Sequence, residues 1–424
     1  MKIAFVQQPI NYLSLKNIDS SLEIWNYEIA RRMAKYHEVV VFARKNKSDK
    51  AFELHEGVRY TRIPTNILDK LFSSSFKQLN RLFQRIFLKL KIPLFVSPLY
   101  YFNYNLCVAK YLANEKYDVV HVHNFPQAVP IIRAFNPNIK IVLEMHCEWL
   151  TQLNRKMIES QLKKTDLIVG VSDYITDKIR SSFPKFAYRC KTLLNGVDID
   201  FFANDNKYYD SGKENVKQLL LVGRVSPEKG IHVLLDAFQI VFKRYPRVHL
   251  TIVGEQESLP LTFLIGLSED ALTRKLARFQ DVNYMSYITS KLSSDLASHV
   301  TFTGSIPHRL LTDYYRTADV VVLPSVCNEP CALPLFEAMA ASVPVVASRG
   351  GGTPEVIEDG KTGLLVERGD ASVLAEAVQS LISNESLSKS IGEAGRKRTI
   401  EFFSWDQTVQ NLCGLYENMF LGDS

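Results

Sequence analysis

The sequence has few of the features of disulfide-rich, zinc-binding or membrane-spanning proteins. Its 424 residues contain six cysteines, which are scattered along the chain and include no CxxC pair. This distribution is typical of reduced cysteines in a cytoplasmic protein, so we expect neither a disulfide framework nor a zinc site. No apolar run reaches the roughly 18 residues that a membrane span requires. The opening residues predict a buried strand rather than a secretory leader.

Acidic residues are absent from Lys70 to Asn114. Within this stretch Lys77, Arg81 and Arg85 recur every four residues, among leucine, isoleucine and phenylalanine. A basic amphipathic helix is typical of attachment to an anionic membrane surface, so residues 70–110 are predicted to lie on the inner face of the plasma membrane. A core-packed helix with a solvated basic face is the alternative. No nucleic-acid partner is expected, because the chain carries no recognised nucleic-acid-binding motif.

Short apolar runs rich in valine and isoleucine alternate with helical patterns along the chain. Such runs, without polar alternation, predict strands buried on both faces of a parallel sheet. The first series of runs comprises residues 3–6, 39–42, 119–122, 141–143 and 167–171. The second comprises residues 218–222, 248–253, 300–302, 320–323, 343–347 and 363–366. Two series predict an α/β protein with two doubly wound domains.

The turn at Asn195–Asp198 is the best domain boundary, and a polar stretch over 204–215, predicted to be a loop, follows it. We therefore expect a first domain over 1–196 and a second over 197–402. The last segment, 403–424, is predicted to form a helix that crosses back onto the first domain or stays on the second. Basic residues outnumber acidic ones in the first half and the reverse holds in the remainder, which predicts an anionic partner for the first half. The long connection over 255–298 is predicted to hold two helices.

Two cations follow the first strand of the second series. Arg224 and Lys229 come directly after the apolar run 218–222. In open α/β sheets ligands bind at the carboxyl ends of the strands. A guanidinium and an ammonium at such an end suit a diphosphate. Two solvated loop cations are the alternative.

Two carboxylates flank the start of a predicted helix. Glu329 follows the run 320–323, and Glu337 lies one turn inside a helix that begins near Leu333. The free N–H groups over Cys331–Leu333 favour an oxygen-rich or negative ligand. A sugar hydroxyl pair suits Glu329 and a ribose diol suits Glu337. The alternatives are the paired carboxylates of a glycoside hydrolase, or a capping acid together with a solvated helix acid.

The spacing and context of these acids carry a family resemblance. Glu329 and Glu337 form an E-x7-E motif in the setting E-P-x-x-L-x-x-x-E-A-M-A, which resembles the retaining glycosyltransferase family 4. Further segments that resemble this family are Asn195–Asp198, Gly223–Gly230, Phe302–Ile306, Tyr315–Val320 and Gly351–Ile357. The resemblance covers the second domain nearly end to end. It implies the GT-B fold, in which two doubly wound Rossmann-like domains face each other across a cleft.

The resemblance also implies roles for single residues. Arg224 and Lys229 would hold the donor diphosphate. Glu337 would bind the ribose and Glu329 the donor sugar, the latter aided by backbone N–H groups. The residues implied for these backbone groups are Cys331, Ala332 and Leu333.

Two further roles follow from the resemblance. The backbone of Ile306 would hold the base. His146 would face the donor sugar across the cleft, which makes His146 and Glu329 the predicted catalytic residues; a satisfied core histidine is the alternative for His146.

Neither a cofactor nor a metal ion is expected. In this family cations and helix dipoles neutralise the leaving diphosphate, so the resemblance implies no divalent metal. His121 and His123 alternate on a predicted strand. They are expected to face opposite ways, which argues against a shared ion.

The predicted function is the transfer of a hexose from a nucleotide sugar, UDP-glucose or a similar UDP-hexose, to a polysaccharide or lipid-linked saccharide. A GDP-mannose-dependent mannosyltransferase is the alternative donor assignment. A non-catalytic membrane-associated scaffold with the same fold is a remote alternative. Such a scaffold is expected to lack the donor-site residues, but Arg224, Lys229, Glu329 and Glu337 are all present. A dinucleotide oxidoreductase would require G-x-G-x-x-G after the first strand, but residues 7–15 contain no glycine.

Overall fold

The computed structural model describes residues 1–10, 12–16, 18–66, 69, 97, 99–203, 216–256 and 261–421. The chain divides into two compact units: unit 1 is Met1–Asn195 with Trp405–Ser424, and unit 2 is Gly196–Ser404. Outside the described residues lie the polar stretch 204–215 and most of the basic segment, including Lys77, Arg81 and Arg85.

Unit 1 is built on a largely parallel sheet. Its described strands are β1 (Lys2–Val6), β2 (Glu38–Arg44), β3 (Phe52–His55), β4 (Val58–Ile63), β5 (Val119–His123), β6 (Lys140–Met145), β7 (Leu167–Gly170) and β8 (Cys190–Thr192). Their order is β3-β4-β2-β1-β5-β6-β7-β8, and β3 and β4 pair in the antiparallel direction. All five predicted strands are present. The sequence interpretation missed β3, β4 and β8, which are short or carry polar side chains.

Helices connect the parallel strands of unit 1. They are α1 (Ser21–Met33), α2 (Phe102–Glu115), α3 (Ala128–Phe135), α4 (Trp149–Gln152), α5 (Arg155–Leu162) and α6 (Asp173–Ser182). Ser20 caps α1, because its side chain accepts a hydrogen bond from the Glu23 N–H.

Unit 2 is built on a parallel sheet whose central strands are buried. Its described strands are β9 (Lys217–Val222), β10 (Val248–Val253), β11 (Val300–Gly304), β12 (Val320–Leu323), β13 (Val345–Ser348) and β14 (Leu364–Val366), in the order β11-β10-β9-β12-β13-β14. Val320, Val321 and Val322 are all 0% exposed, so both faces of β12 are covered. This burial explains why the central strands appear in the sequence as continuous apolar runs, whereas the edge strand β11 is only partly buried.

The helices of unit 2 surround this sheet. They are α7 (Ile231–Arg244), α8 (Leu261–Leu267), α9 (Ala271–Lys275), α10 (Tyr284–Thr289), α11 (Ser294–Ala297), α12 (Leu311–Thr317), α13 (Leu333–Ala340), α14 (Thr353–Val356), α15 (Ala371–Ser383) and α16 (Glu385–Phe402). The prediction of two helices over 255–298 is wrong, because the described part of this connection holds four short helices and a 3₁₀ turn.

The last helix, α17 (Trp405–Leu421), belongs to unit 1. Its Thr408 hydroxyl donates to the carbonyl oxygen of Leu194 at 3.3 Å, and Asp406 pairs with Arg32 of α1 at 3.3 Å. Just before it, the N–H of Val197 donates to the carbonyl oxygen of Phe403 at 2.9 Å, within unit 2. Among the described helices, none is long and apolar enough to cross a membrane.

Candidate functional site

A glycine-containing turn brings the end of β9 against the end of β12. Arg224 follows β9, and Lys229 ends a short 3₁₀ turn. Gly230 has a φ of +74°, and a Cβ at this position would lie 2.0 Å from the carbonyl oxygen of Pro324. Only glycine permits so close an approach of two backbones. The turn therefore places Lys229 beside the loop that follows β12.

Lys229 and Glu329 form an ion pair at this edge of the sheet. Nζ of Lys229 lies 2.6 Å from Oε1 of Glu329, and the Ser325 hydroxyl donates to the same oxygen at 2.7 Å. Burial opposes the ionisation of Glu329, but the Lys229 ammonium outweighs burial and lowers the pKa of Glu329. Burial likewise opposes the charge on Lys229, and Glu329 raises the pKa of Lys229 above its usual range. Both groups are therefore charged at neutral pH.

Arg224 is held by a buried carboxylate that the sequence interpretation missed. Its Nη2 lies 3.1 Å from Oε1 of Glu228, which also accepts a hydrogen bond of 2.7 Å from Ser226. Glu228 is only 3% exposed. One contact orients the guanidinium and leaves further N–H donors of its fork for an anion. The only feature of the sequence that could have indicated this ion pair is the four-residue spacing between Arg224 and Glu228.

The predicted backbone donors lie at the N-terminal end of α13. Leu333 is the first residue of this helix, and Ala332 is its N-cap residue, with no side chain that caps the helix. Cys331 lies one residue earlier. The first N–H groups of an α-helix have no partner inside the helix, which favours an oxygen-rich or negative ligand there.

The loop that follows β13 packs on the backbone of Glu329. The Gly352 N–H donates to the Glu329 carbonyl oxygen at 2.8 Å. Gly351 has a φ of +60°, and a Cβ there would lie 2.0 Å from the same oxygen. Asn328 accepts a hydrogen bond of 3.2 Å from the Gly351 N–H. These contacts fix the backbone from which the Glu329 side chain extends.

Glu337 is buried and accepts hydrogen bonds from two side chains that the sequence interpretation did not identify. His308 Nε2 lies 2.7 Å from Oε1, and the Tyr315 hydroxyl donates to Oε2 at 2.7 Å. Burial and the neighbouring carboxylate raise the pKa of Tyr315 well above its usual range, so its hydroxyl remains a donor. The His308 ring packs against Phe202, with ring centroids 5.5 Å apart. Tyr315 and His308 thus fix the Glu337 side chain.

Ile306 lies in the loop between β11 and a 3₁₀ turn that begins at His308. The loops that follow β10 and β11 are joined, because the Gly254 N–H donates to the carbonyl oxygen of Gly304 at 2.9 Å. Gly304 has a φ of +72°, a conformation that favours glycine. Ile306 therefore lies in the same chain segment as the histidine that contacts Glu337.

The prediction that His121 and His123 face opposite ways is wrong. Residues two apart on a strand point to the same face of the sheet, and the two rings on β5 have centroids 4.8 Å apart. Glu144 of β6 lies against both rings, with Oε2 2.8 Å from His121 Nε2 and 3.4 Å from His123 Nδ1. All three side chains are fully buried, and their ligand atoms are close enough together to hold a metal ion.

His146 follows β6 directly, and its ring turns toward this cluster. Its Nε2 lies 3.1 Å from His123 Nδ1 and 3.7 Å from Glu144 Oε2. Its backbone N–H donates to Asn124 Oδ1 at 2.7 Å. His146 belongs to unit 1, whereas the other predicted site residues all belong to unit 2.

Burial governs the charge of the groups around Glu144. It lowers the pKa of His121 to about 3 and also lowers the pKa values of His123 and His146. The three imidazoles are therefore neutral at pH 7. Burial raises the pKa of Glu144 to about 7. In the described part of the chain, Glu144 has no lysine or arginine partner that would offset its burial.

Two family models match the chain. The model for Glycosyltransferase Family 4 matches residues 22–201, and the model for Glycosyl transferases group 1 matches residues 206–398. Together they cover most of both units.

Two relatives and one solved structure illustrate the similarity. Spore coat protein SA of Bacillus subtilis is 26% identical over 410 residues, which is 94% of either chain. Phosphatidyl-myo-inositol mannosyltransferase of Mycobacterium tuberculosis is 29% identical over 324 residues, 74% of this chain and 76% of that protein. The structure of Anabaena HepE in complex with UDP superposes with a TM-score of 0.71 at 18% identity, covering 99% of this chain and 100% of that one. Together with the largely parallel sheet of unit 1 and the parallel sheet of unit 2, this likeness confirms the predicted GT-B fold, with its two Rossmann-like units.

Proposed function

This chain belongs to glycosyltransferase family 4, and we propose that it is a retaining hexosyltransferase. It would move a hexose from a nucleotide sugar, UDP-glucose or a similar UDP-hexose, to a polysaccharide or lipid-linked saccharide. The observation that carries this proposal is the Lys229–Glu329 pair, 2.6 Å long, at the ligand-binding edge of the unit 2 sheet.

The cations at this edge suit a diphosphate. Lys229 offers a compact charge and Arg224 a planar fork, and each is oriented by a carboxylate of unit 2. The N-terminal end of α13 adds oriented N–H groups over Cys331–Leu333 and a positive dipole end. Charge that develops on the leaving diphosphate would be stabilised by these fixed groups, which is the role that divalent metals have in other transferases.

Glu337 suits a ribose diol. An ionised carboxylate has about four lone-pair sites, and His308 and Tyr315 occupy one on each oxygen. One site on each oxygen is left, which matches two neighbouring hydroxyl groups. The base would bind to the backbone around Ile306, in the segment that also supplies His308.

Glu329 suits the donor sugar. Lys229 and Ser325 both contact its Oε1, so Oε2 retains lone pairs for sugar hydroxyl groups. The family retains the anomeric configuration, and we propose a front-face substitution in which the departing phosphate helps to deprotonate the acceptor. His146 would contribute from unit 1 by facing the donor sugar.

Two nucleotide sugars are candidate donors. HepE has been solved with UDP and with UDP-glucose, which supports UDP-glucose as the first candidate. The similarity to a mannosyltransferase of M. tuberculosis favours GDP-mannose as the second. The acceptor of that relative, as its name states, is a phosphatidyl lipid. A lipid-linked acceptor on the inner face of the plasma membrane would also suit the acid-free basic segment over 70–110.

A donor panel tests the proposal. The purified chain is incubated with UDP-glucose, UDP-galactose, UDP-N-acetylglucosamine, GDP-mannose and ADP-glucose, and release of the nucleoside diphosphate is measured. We expect slow hydrolysis of one UDP-hexose, with thermal stabilisation by UDP in excess of that by GDP or NAD. If GDP-mannose is the preferred donor, the chain is a mannosyltransferase, and the assignment to the glycosyltransferases still holds. Stabilisation by NAD alone, or by none of these nucleotides, would refute the transferase assignment.

A further inference from the structure

Four potential metal ligands meet inside unit 1. His121 and His123 lie on β5, and Glu144 lies on the neighbouring strand β6, where it pairs in register with His123. His146 follows the end of β6. The side chains of His121, His123 and Glu144 are 0% exposed and that of His146 is 15% exposed.

The spacing of the ligand atoms fits a tetrahedral ion. Zinc binds nitrogen and oxygen ligands at about 2.0–2.1 Å, which places tetrahedral ligand atoms about 3.3–3.4 Å apart. Glu144 Oε2 lies 2.8, 3.4 and 3.7 Å from the nearest nitrogens of His121, His123 and His146. The nearest nitrogens of His123 and His146 lie 3.1 Å apart. The ligand atoms of His121, His123 and Glu144 all lie within 4.8 Å of one another, so a bound ion would draw the imidazole rings closer together to complete the geometry.

The carboxylate of Glu144 needs a partner that its protein neighbours do not supply. It is fully buried, and in the described part of the chain neither of its oxygens accepts a well-formed hydrogen bond. An ionised carboxylate in such a place is costly unless a cation or a proton accompanies it. A divalent ion would satisfy Glu144 and the facing nitrogens of the three imidazoles at once.

We propose that His121, His123, Glu144 and His146 bind one zinc ion. The outer partners fit as well: His121 Nδ1 lies 2.7 Å from the Tyr416 hydroxyl of α17, so its N–H would donate there while Nε2 binds the metal. Trp25 packs edge-on against His123, with centroids 4.6 Å apart, and shields the group from water.

Four protein ligands make this a structural site rather than a catalytic one. The ion would join β5 to β6 and, through Tyr416, would orient α17 on unit 1. Since Nε2 of His146 would be a ligand, any contact of that ring with the donor would fall to Nδ1. The site goes beyond the proposed transfer reaction, whose donor residues lie in unit 2.

Metal analysis of the full chain tests the proposal. The protein is purified without a metal-affinity tag, dialysed in metal-free buffer, and analysed for zinc by mass spectrometry. We expect one zinc ion per chain. After removal of the metal with a chelator, cobalt should bind with one-to-one stoichiometry and give the intense visible absorption of a tetrahedral site. A wild-type chain that binds neither ion with a dissociation constant below about a micromolar would overturn the proposal.

Variants locate the ion. His123→Ala and Glu144→Gln should lose zinc, whereas His249→Ala, which changes a histidine of β10 in unit 2, should keep it. Tyr416→Phe, which retains the ring, should weaken zinc binding by about 10–100-fold. Retention of a full zinc equivalent with unchanged affinity in Glu144→Gln and His123→Ala would place the ion elsewhere and refute the site. UDP binding, measured on the same samples, reports on unit 2 separately, so the two proposals can fail independently.

Discussion

Glu144 in unit 1 and Glu329 in unit 2 occupy similar places in their sheets but meet different partners. Both lie at or beyond the carboxyl end of a parallel strand, and both are largely buried. Glu329 faces the ammonium of Lys229, and its pKa is lowered in spite of burial. Glu144 faces imidazoles, and burial raises its pKa to about 7. The described residues thus hold a charged ion pair in unit 2 and a buried carboxylate without a lysine or arginine partner in unit 1.

The difference follows from where the residues lie along the chain. His121 and His123 are inside a strand and Glu144 is inside its neighbour, so these side chains are enclosed by the core of unit 1. Lys229 and Glu329 lie in loops beyond the strands, where they remain partly exposed. The side chains of Lys229 and Glu329 are 24% and 12% exposed, whereas those of His121, His123 and Glu144 are 0% exposed. Substitutions in unit 2 test this difference, because they change the charged pair and leave the buried cluster of unit 1 intact.

The largest effect is expected for Lys229→Met. The substitution keeps the aliphatic stem but removes the ammonium, so the diphosphate loses its compact cation and Glu329 loses its partner. We expect kcat/KM for the donor to fall by about 10³-fold, measured by release of the nucleoside diphosphate. Lys361→Met changes an exposed lysine of the same unit and should retain wild-type activity. A decrease of less than tenfold in kcat/KM for Lys229→Met would show that this lysine does not contribute to the reaction as proposed.

A smaller loss is expected for Glu329→Gln. The amide retains the size of the side chain but not its charge, so contacts with the donor sugar weaken while the diphosphate contacts remain. We expect kcat to fall by about 10²-fold and the dissociation constant for UDP to stay within about twofold. Glu393→Gln, on the surface of α16, is the matched control. A large change in UDP affinity with little change in kcat would reverse the proposed roles of Glu329 and Glu337.

Glu337→Ala should act on binding. Removal of the carboxylate takes away the hydrogen bonds proposed for the ribose, so the dissociation constant for UDP should rise about tenfold, measured by fluorescence or calorimetry. Tyr315→Phe removes one orienting hydrogen bond and should raise it only about threefold. Equal affinities in Glu337→Ala and the wild type would remove Glu337 from the nucleotide site.

Titration of Lys229 and Glu329 should not change the affinity for UDP near neutral pH. The pKa of Glu329 is lowered from 4.5, so its contribution is lost only as pH falls through that lowered value. The pKa of Lys229 is raised from 10.5, so its contribution is lost only as pH rises above that value. UDP affinity should change less than about twofold between pH 7 and 9. A steep change in this window would show that another group controls binding.

The sequence predicted the fold more completely than it predicted which side chains contact the candidate site residues. The central strands of unit 2 are buried on both faces, so their apolar runs were visible, whereas the exposed β3 was not. The E-x7-E spacing placed Glu329 and Glu337 at the start of α13. Contacts such as Tyr315 with Glu337 depend on how a helix packs beside another, which no local pattern encodes.

The cluster around Glu144 shows a different limit. The two-residue period of a strand places His121 and His123 on one face, so the opposite interpretation was a misreading of a signal that was present. Their contact with Glu144 also required the register between β5 and β6, which is set by the sheet as a whole. Likewise, the sequence indicates the ion pair between Arg224 and Glu228 only through their four-residue spacing.

The most direct test of the unit 2 site compares UDP with uridine. Calorimetric titration of both ligands into the wild type and into Lys229→Met measures what the diphosphate contributes to binding. We expect the wild type to bind UDP far more tightly than uridine, and Lys229→Met to reduce that ratio at least tenfold while uridine affinity stays unchanged. A ratio that is the same in both proteins would contradict the assignment of Lys229 and its edge of the sheet to the donor diphosphate.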